Sequence, residues 1–336
     1  MTKNNFNQTS PIESVGIDVG KENLSICLLH QNQTHSFLEI KNTKLEINRF
    51  MQNNLLGYAN KIVLESTGRF HLLPAVMLSE NQLDVRVINP LISKKYSSSS
   101  VRKVKSDKQD SQMLARIAVQ EEKLPATFGY SRKELNLKKK ISLVASLEKQ
   151  VQQLNAIMHD FCETKQLLGN SFSKVEKQLL LSVKRIVKQK NISEKEIQTE
   201  TTGNNLTKHR ELFSSICGVS PYVATIADAF FSDQYLESPK QWIAFAGLDV
   251  SVRQSGSWKG KCRLTKRGNA YLRKRLFSAA WGAKMHSKEF REYYLKLRAG
   301  GRNYVESLVI IARKIVRIMF ALVKNKTEFN LEKIIF

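Results

Sequence analysis

Asp18, Glu65, Asp107 and Asp110 are the residues whose types and spacing suggest chemistry. Asp18 lies inside Val15-Gly16-Ile17-Asp18-Val19-Gly20-Lys21, which reads as a buried strand carrying a carboxylate. A charge there costs several kcal/mol unless something cationic meets it. Glu65 closes a second apolar run, Lys61-Ile62-Val63-Leu64-Glu65. Asp107 and Asp110, three apart, share one face of a helix for which Ser106 is a natural N-cap. Taken singly, each acid has an ordinary explanation: Asp18 suits an exposed edge strand equally well, and acids in a first helical turn complement the helix dipole.

Whether the four meet depends on the elements that carry them. After the Asp18 strand, Leu24 to Leu29 returns as a second and Thr34 to Ile40 alternates as a third. Lys44 to Leu56 has helical spacing, Arg69 to Glu80 reads as a helix despite Pro74, and Leu83 to Asn89 as a strand stopping at Pro90. Strand, strand, strand, helix, strand, helix, strand, helix is the ribonuclease H order, in which a mixed sheet sets the ends of its first and fourth strands side by side. Four carboxylates gathered that way repel one another or stay protonated unless cations intervene. Mg²⁺ favours carboxylates, water and phosphate oxygens, and two such ions can clamp an in-line phosphoryl displacement.

From Arg132 the pattern becomes long helix. Val144, Leu147, Val151, Leu154, Met158 and Phe161 keep a three-four spacing, and Leu168, Phe172, Val175 and Leu179 repeat it beyond Gly169-Asn170. This predicts a helical hairpin or coiled coil whose seam packs on its own chain or joins protomers. Polar, Thr-rich Asn191 to His209 reads as a linker. The expected division is an α/β domain at 11–128, the hairpin at 129–190, the linker at 191–209 and a mostly helical domain at 210–325. Ile216-Cys217-Gly218-Val219-Ser220-Pro221 is either a plain turn between helices or a helix-hairpin-helix phosphate contact.

Charge narrows the partners. Lys+Arg 54 against Asp+Glu 30 gives a formal net charge of +24, which binding a polyanion requires, with nucleic acid as the default. Met1 to Ser10 is polar and does not read as a secretory signal. Val305 to Val323 is interrupted by Arg313, Lys314 and Arg317, predicting an amphipathic helix against the protein or a polyanion, not a membrane span. Cys27, Cys162, Cys217 and Cys262 are too dispersed for a zinc pattern and suggest a reducing cytoplasm. The most basic segment, Arg253 to Arg275, holds nine Lys or Arg and no acid, with Trp258 and Tyr271 interleaved. A solvated charge run is the plain explanation, but the aromatics and glycines favour a phosphate-backbone surface. Its expected members are Arg253, Trp258, Lys259, Lys261, Arg263, Lys266, Arg267, Arg273, Lys274 and Arg275. Thr265-Lys266-Arg267-Gly268 would open a helix whose free amides face an anion.

Several short motifs occur in order along the chain. They are Gly16-Ile17-Asp18-Val19-Gly20-Lys21, Leu64-Glu65-Ser66-Thr67-Gly68, Ser106-Asp107-Lys108-Gln109-Asp110-Ser111, Ala246-Gly247-Leu248, Gln254-Ser255-Gly256 and Thr265-Lys266-Arg267-Gly268-Asn269 with Leu272-Arg273 after it. On these, from Val15 to about Ala283, the chain resembles the DEDD insertion-sequence transposases, the family that includes Piv-type DNA invertases and bridge-RNA-guided recombinases. The resemblance implies a RuvC-like domain with Asp18, Glu65, Asp107 and Asp110 as Mg²⁺ ligands, and a C-terminal transposase domain with Ser255 as nucleophile. It further implies donor and target DNA, a structured guide RNA, a homo-oligomer (dimer or tetramer), and a bacterial cytoplasmic protein at the nucleoid when active. Asp249 stands where the family motif has Pro. Ser251 and Ser257 compete with Ser255, which precedes Gly256 and matches the family's Ser-Gly pair.

Three other readings explain less. Asp18-Val19-Gly20 would suit an actin-like sugar kinase, but the C-terminal half offers neither a second phosphate loop nor a Gly-rich adenosine site. A RuvC-like nuclease or junction resolvase using water explains the acids and leaves the C-terminal motifs unused. A non-enzymatic nucleic-acid binder explains only the charge.

Overall fold

Side chains alternate across a strand, so Ser14, Gly16 and Asp18 share one face of β1 (Ile12–Val19), and that face is where a helix packs. The computed structural model describes residues 10–52, 56, 61–97, 106–122, 124–202, 206–231, 237–251, 254–255, 258–259 and 263–331, with the backbone alone at 97, 254, 255, 258 and 259. The chain divides into two units, Met1–Arg132 and Lys133–Phe336.

In the first unit, β1, β2 (Asn23–His30), β3 (His35–Lys41), β4 (Lys61–Glu65) and β5 (Val85–Ile88) form one sheet in the order β3-β2-β1-β4-β5. β1 pairs antiparallel with β2 and parallel with β4, the mixed arrangement of the ribonuclease H fold. Most residues of its central strands β1 and β4 are buried, on both faces. α1 (Lys44–Gln52) follows β3, and α2 (Leu72–Glu80) joins β4 to β5. The helix expected from Arg69 begins three residues later. Pro74, which has no N–H to donate, is thereby accommodated in the first turn. A helix not foreseen, α3 (Pro90–Ser97), starts directly at Pro90. α4 (Asp107–Gln120) then crosses the sheet, and its Leu114, Ala115, Ile117 and Ala118 pack on Val63, Ile88, Cys27 and Leu29.

The second unit opens with a long hairpin, α5 (Arg132–Leu167) and α6 (Lys174–Thr201). Lys140 pairs with Glu200 at 2.5 Å and Lys165 with Glu176 at 3.1 Å, so the two helices run antiparallel. Gly169 at φ 65° makes the turn, and a Ser173/Glu176 capping box starts α6. The predicted linker is corrected here, since α6 continues through Asn191 to Thr201. Its threonines do not break the helix, because Thr199, Thr201 and Thr202 each donate a hydroxyl to the carbonyl four residues back. Nor does the hairpin stand apart from the C-terminal helices. Leu137, Ile141, Val144 and Ile197 belong to the same buried core as those helices.

The C-terminal helices are α7 (Arg210–Ser214), α8 (Pro221–Phe231), α9 (Pro239–Phe245), α10 (Ala270–His286), α11 (Lys288–Ala299) and α12 (Tyr304–Asn325). On α12, Leu308, Ile311, Ala312, Ile315, Val316, Met319 and Leu322 are buried, the inward stripe of an amphipathic helix. Among the described residues no helix is long and apolar enough to cross a membrane. Among the described residues between α9 and α10 lie four two-residue strands, β6 (Val250–Ser251), β7 (Gln254–Ser255), β8 (Trp258–Lys259) and β9 (Arg263–Leu264), with β6 paired to β9 and β7 to β8. This small arm interrupts an otherwise helical unit.

Candidate active site: a carboxylate cluster and a serine-bearing arm

Parallel pairing of β1 and β4 aligns Gly16 with Val63 and Ile17 with Leu64, so Asp18 and Glu65 come next on adjacent strands. α4 brings the other two acids. Its start is fixed by Ser106, whose hydroxyl accepts from the Gln109 amide, placing Asp107 and Asp110 in the first turn. The helix approaches β1 closely because Gly16 has no side chain. A Cβ there would sit 2.1 Å from the Ser111 carbonyl oxygen and 2.3 Å from the Ala115 amide nitrogen. Ser14 adds a hydrogen bond from its buried hydroxyl to the Ala115 carbonyl at 2.8 Å.

The electrostatic result falls on Asp18. Burial, then the negative charges of Asp110, Asp107 and Glu65, push its carboxyl up to about 6, with the Val19 amide opposing them. The four predicted acids are therefore electrostatic neighbours. Their donor set, all hard carboxylate oxygen, fits a divalent cation of the Mg²⁺ type. Among the described residues, no three His, Cys, Asp or Glu side chains already stand at ligand spacing around one point. Asp18 and Glu65 are half-buried, and Asp107 is exposed.

Two supporting residues escaped the sequence reading. Buried Ser93, on α3, donates to Glu65 Oε2 at 2.5 Å, holding that carboxylate. Asn42 donates from Nδ2 to the carbonyls of Gly20 at 3.1 Å and Phe70 at 3.2 Å, tying the turn after Asp18 to the loop after Glu65. Neither carries a motif. The one available signal was the polar Ser14 and small Gly16 on the Asp18 face of an otherwise apolar strand.

In the second unit, Ser255 lies on β7 opposite Trp258. The side chains of Ser255, Trp258 and Lys259, and the whole of Arg253, Ser257 and Lys261, lie outside the described residues. Ser251 donates its hydroxyl to the Arg263 carbonyl at 3.0 Å, so it is engaged in the β6–β9 ladder. The motifs flanking the arm are in backbone contact. A Cβ on Gly268 would meet the Phe245 carbonyl at 2.0 Å and the Gly247 amide at 2.3 Å, and Gly247 itself has φ 66°. Asp249, which replaces the family's Pro, accepts hydrogen bonds from the Thr265 amide and hydroxyl and clasps the base of the arm.

The expected phosphate surface is smaller than its charge suggested. Arg263, Lys266 and Arg267 are exposed. Arg275 is instead committed to its own unit, with Glu148 at 2.6 Å, Glu194 at 3.4 Å, the Tyr271 hydroxyl at 2.7 Å, and the Tyr222 and Tyr271 rings beneath its guanidinium. Lys274 also pairs with Glu148, at 3.2 Å, and Arg273 reaches the Ala246 carbonyl at 3.3 Å. Nor does Thr265 to Gly268 open a helix. α10 begins at Ala270, and Asn269 accepts from the Tyr271 and Leu272 amides, which are thus not free to meet an anion. The turn at Gly218, φ 86°, packs on the α10 backbone, where a Cβ would lie 2.1 Å from the Ala283 amide nitrogen. Close helix packing accounts for that glycine.

A mixed sheet gathering acids from two parallel strands and a crossing helix defines the ribonuclease H-like class. Comparison with known sequences specifies it further: residues 15–163 match a model described as a transposase, and residues 210–295 match the transposase family IS116/IS110/IS902. The chain belongs to the DEDD insertion-sequence transposase family. It is 28% identical over 121 residues to an uncharacterized 44.8 kDa protein of insertion element IS116 from Streptomyces clavuligerus, a match spanning 36% of this chain and 30% of that relative.

Proposed function

We propose that the chain is the transposase of an insertion element, a DNA recombinase that cleaves and rejoins DNA through its four acids and a phosphoserine at Ser255. The convergence of Asp107, Asp110 and Glu65 on Asp18, whose carboxyl they and burial push up to about 6, carries this reading. Four gathered carboxylates are unfavourable for a fold that has no use for them. In the proposed mechanism Asp18, Glu65, Asp107 and Asp110 hold Mg²⁺, with Ser93 orienting Glu65. The ion, when bound, supplies electrostatic stabilisation of charge developing on the phosphoryl oxygens. Ser255 gives up its proton and bonds through Oγ to phosphorus while a deoxyribose oxygen leaves as a hydroxyl. The phosphodiester energy is retained in the serine ester, so rejoining needs no ATP.

Donor and target DNA are the substrates under this reading, a structured RNA is the guide, and the working form is a homo-oligomer. A formal net charge of +24 supports a polyanionic partner. The test is to trap the reaction on a nicked duplex, digest the product and map the nucleotide-bearing peptide by mass spectrometry. An adduct on Ser255 is expected. A free phosphate end with no adduct would replace serine attack by water hydrolysis, and an adduct on Ser257 would move the nucleophile.

A further inference from the structure

Of the four cations on α12, Arg313, Lys314, Arg317 and Lys324, the two arginines stand out. Arg313 and Arg317 are four residues apart and so project from one face of the helix, opposite the buried stripe. Arg313 is half-buried, and its Nε is enclosed by protein without a hydrogen-bond partner. Arg317 is exposed. Among the described residues neither forms an ion pair, unlike Lys274 and Arg275, which are met by Glu148. Burial, and then Arg317, hold the Arg313 guanidinium below its ordinary range, with Asp249 opposing, so these three groups are electrostatic neighbours. α12 packs along α9, with the Phe320 and Trp242 rings 5.4 Å apart, and α9 leads through Gly247 into Asp249 and the arm that bears Ser255. Asp249 is a single negative charge against two like positive ones, one of them partly desolvated, so a second anion would be met favourably. A guanidinium fork suits the oxygens of a phosphodiester.

We propose that Arg313 and Arg317 form a DNA phosphodiester-binding site at the base of the serine-bearing arm, positioning the backbone for attack. Both residues lie outside the two regions, 15–163 and 210–295, matched by the family models. The inference rests on the reading of the chain as a DNA recombinase. It also supplies what Arg273 and Arg275, turned toward their own unit, do not.

The experiment is the salt dependence of duplex DNA binding by the full chain, followed by fluorescence anisotropy across a NaCl series. Removing one phosphate contact lowers the slope of log K against log salt by about one. The double variant Arg313→Gln, Arg317→Gln is expected to lower it by about two, and the charge-preserving pair Arg313→Lys, Arg317→Lys to keep the wild-type slope. A wild-type slope in the Gln pair, alongside a reduced one in Lys266→Gln, Arg267→Gln, would overturn the site and leave the recombinase reading intact. A slope reduced equally in the Lys pair would report a damaged fold and overturn the assignment as well. A reduced slope for RNA but not for DNA would reject DNA as the occupant. A wild-type protein that binds no DNA would remove the functional reading itself, and the site with it.

Discussion

Gly16 and Ser111 are in backbone contact: a Cβ on the first would lie 2.1 Å from the carbonyl oxygen of the second. That approach lets α4 lie against β1 and sets Asp110, one residue before Ser111, near Asp18, two residues after Gly16. Gly16→Ala must push the helix off the strand, since backbone cannot rotate away as a side chain can. The expected cost is about 3 kcal/mol, read by denaturant unfolding. Surviving folded protein should also have lost divalent-cation binding, measured calorimetrically. Wild-type stability in the variant would mean that the helix and strand have room for a methyl group between them.

Asp18→Asn should separate stability from activity. The folded-state carboxyl is raised to about 6 from an ordinary 3.8, so between those values the folded state binds more protons than the unfolded one. Stability therefore falls as pH rises through that window. Removing the charge should stabilise the metal-free protein at pH near 7 by on the order of 1 kcal/mol, after allowing for screening at a half-buried site. Thermal melts in chelator should show the gain at neutral pH and its disappearance as pH falls below 3.8, the lower end of the window. Recombination should be abolished throughout.

Arg275 is expected to behave as a structural residue. Gln in its place leaves Glu148 and Glu194 without their shared cation and should cost about 3 kcal/mol. The salt slope of DNA binding should not change in protein that remains folded. Lys266→Gln and Arg267→Gln should do the reverse, leaving the melting temperature within a degree or two and lowering the slope by about one each.

Ser251→Ala removes a hydroxyl already donated to the Arg263 carbonyl. It should cost about 1 kcal/mol or less and leave adduct formation on nicked DNA intact. Ser255→Ala should abolish the adduct with no change in melting temperature. The opposite pairing of results would exchange the two serines.

Local chemistry made much of this protein legible as sequence. Short apolar runs announced β1, β2 and β4, alternation announced β3, three-four spacing announced α5 and α6, and the strand order carried the mixed sheet that puts Asp18 beside Glu65. These features depend on residues near one another in the chain, whose pattern must match a strand or helix period to bury an apolar face. The partners of the charged groups were not legible. Arg273, Lys274 and Arg275 sit in the most basic segment of the chain, yet Arg275 and Lys274 meet Glu148 and Arg275 also meets Glu194, acids contributed by the distant hairpin. Thr199 to Thr202 looked like linker until their hydroxyls found carbonyls within α6. Ser93, through one hydrogen bond to Glu65, and Asn42, through two, support the site by joining residues far apart in sequence. Only the tertiary structure decides such matters, because a charge or hydroxyl has no period, and its role is set by whichever group the fold brings within hydrogen-bonding reach.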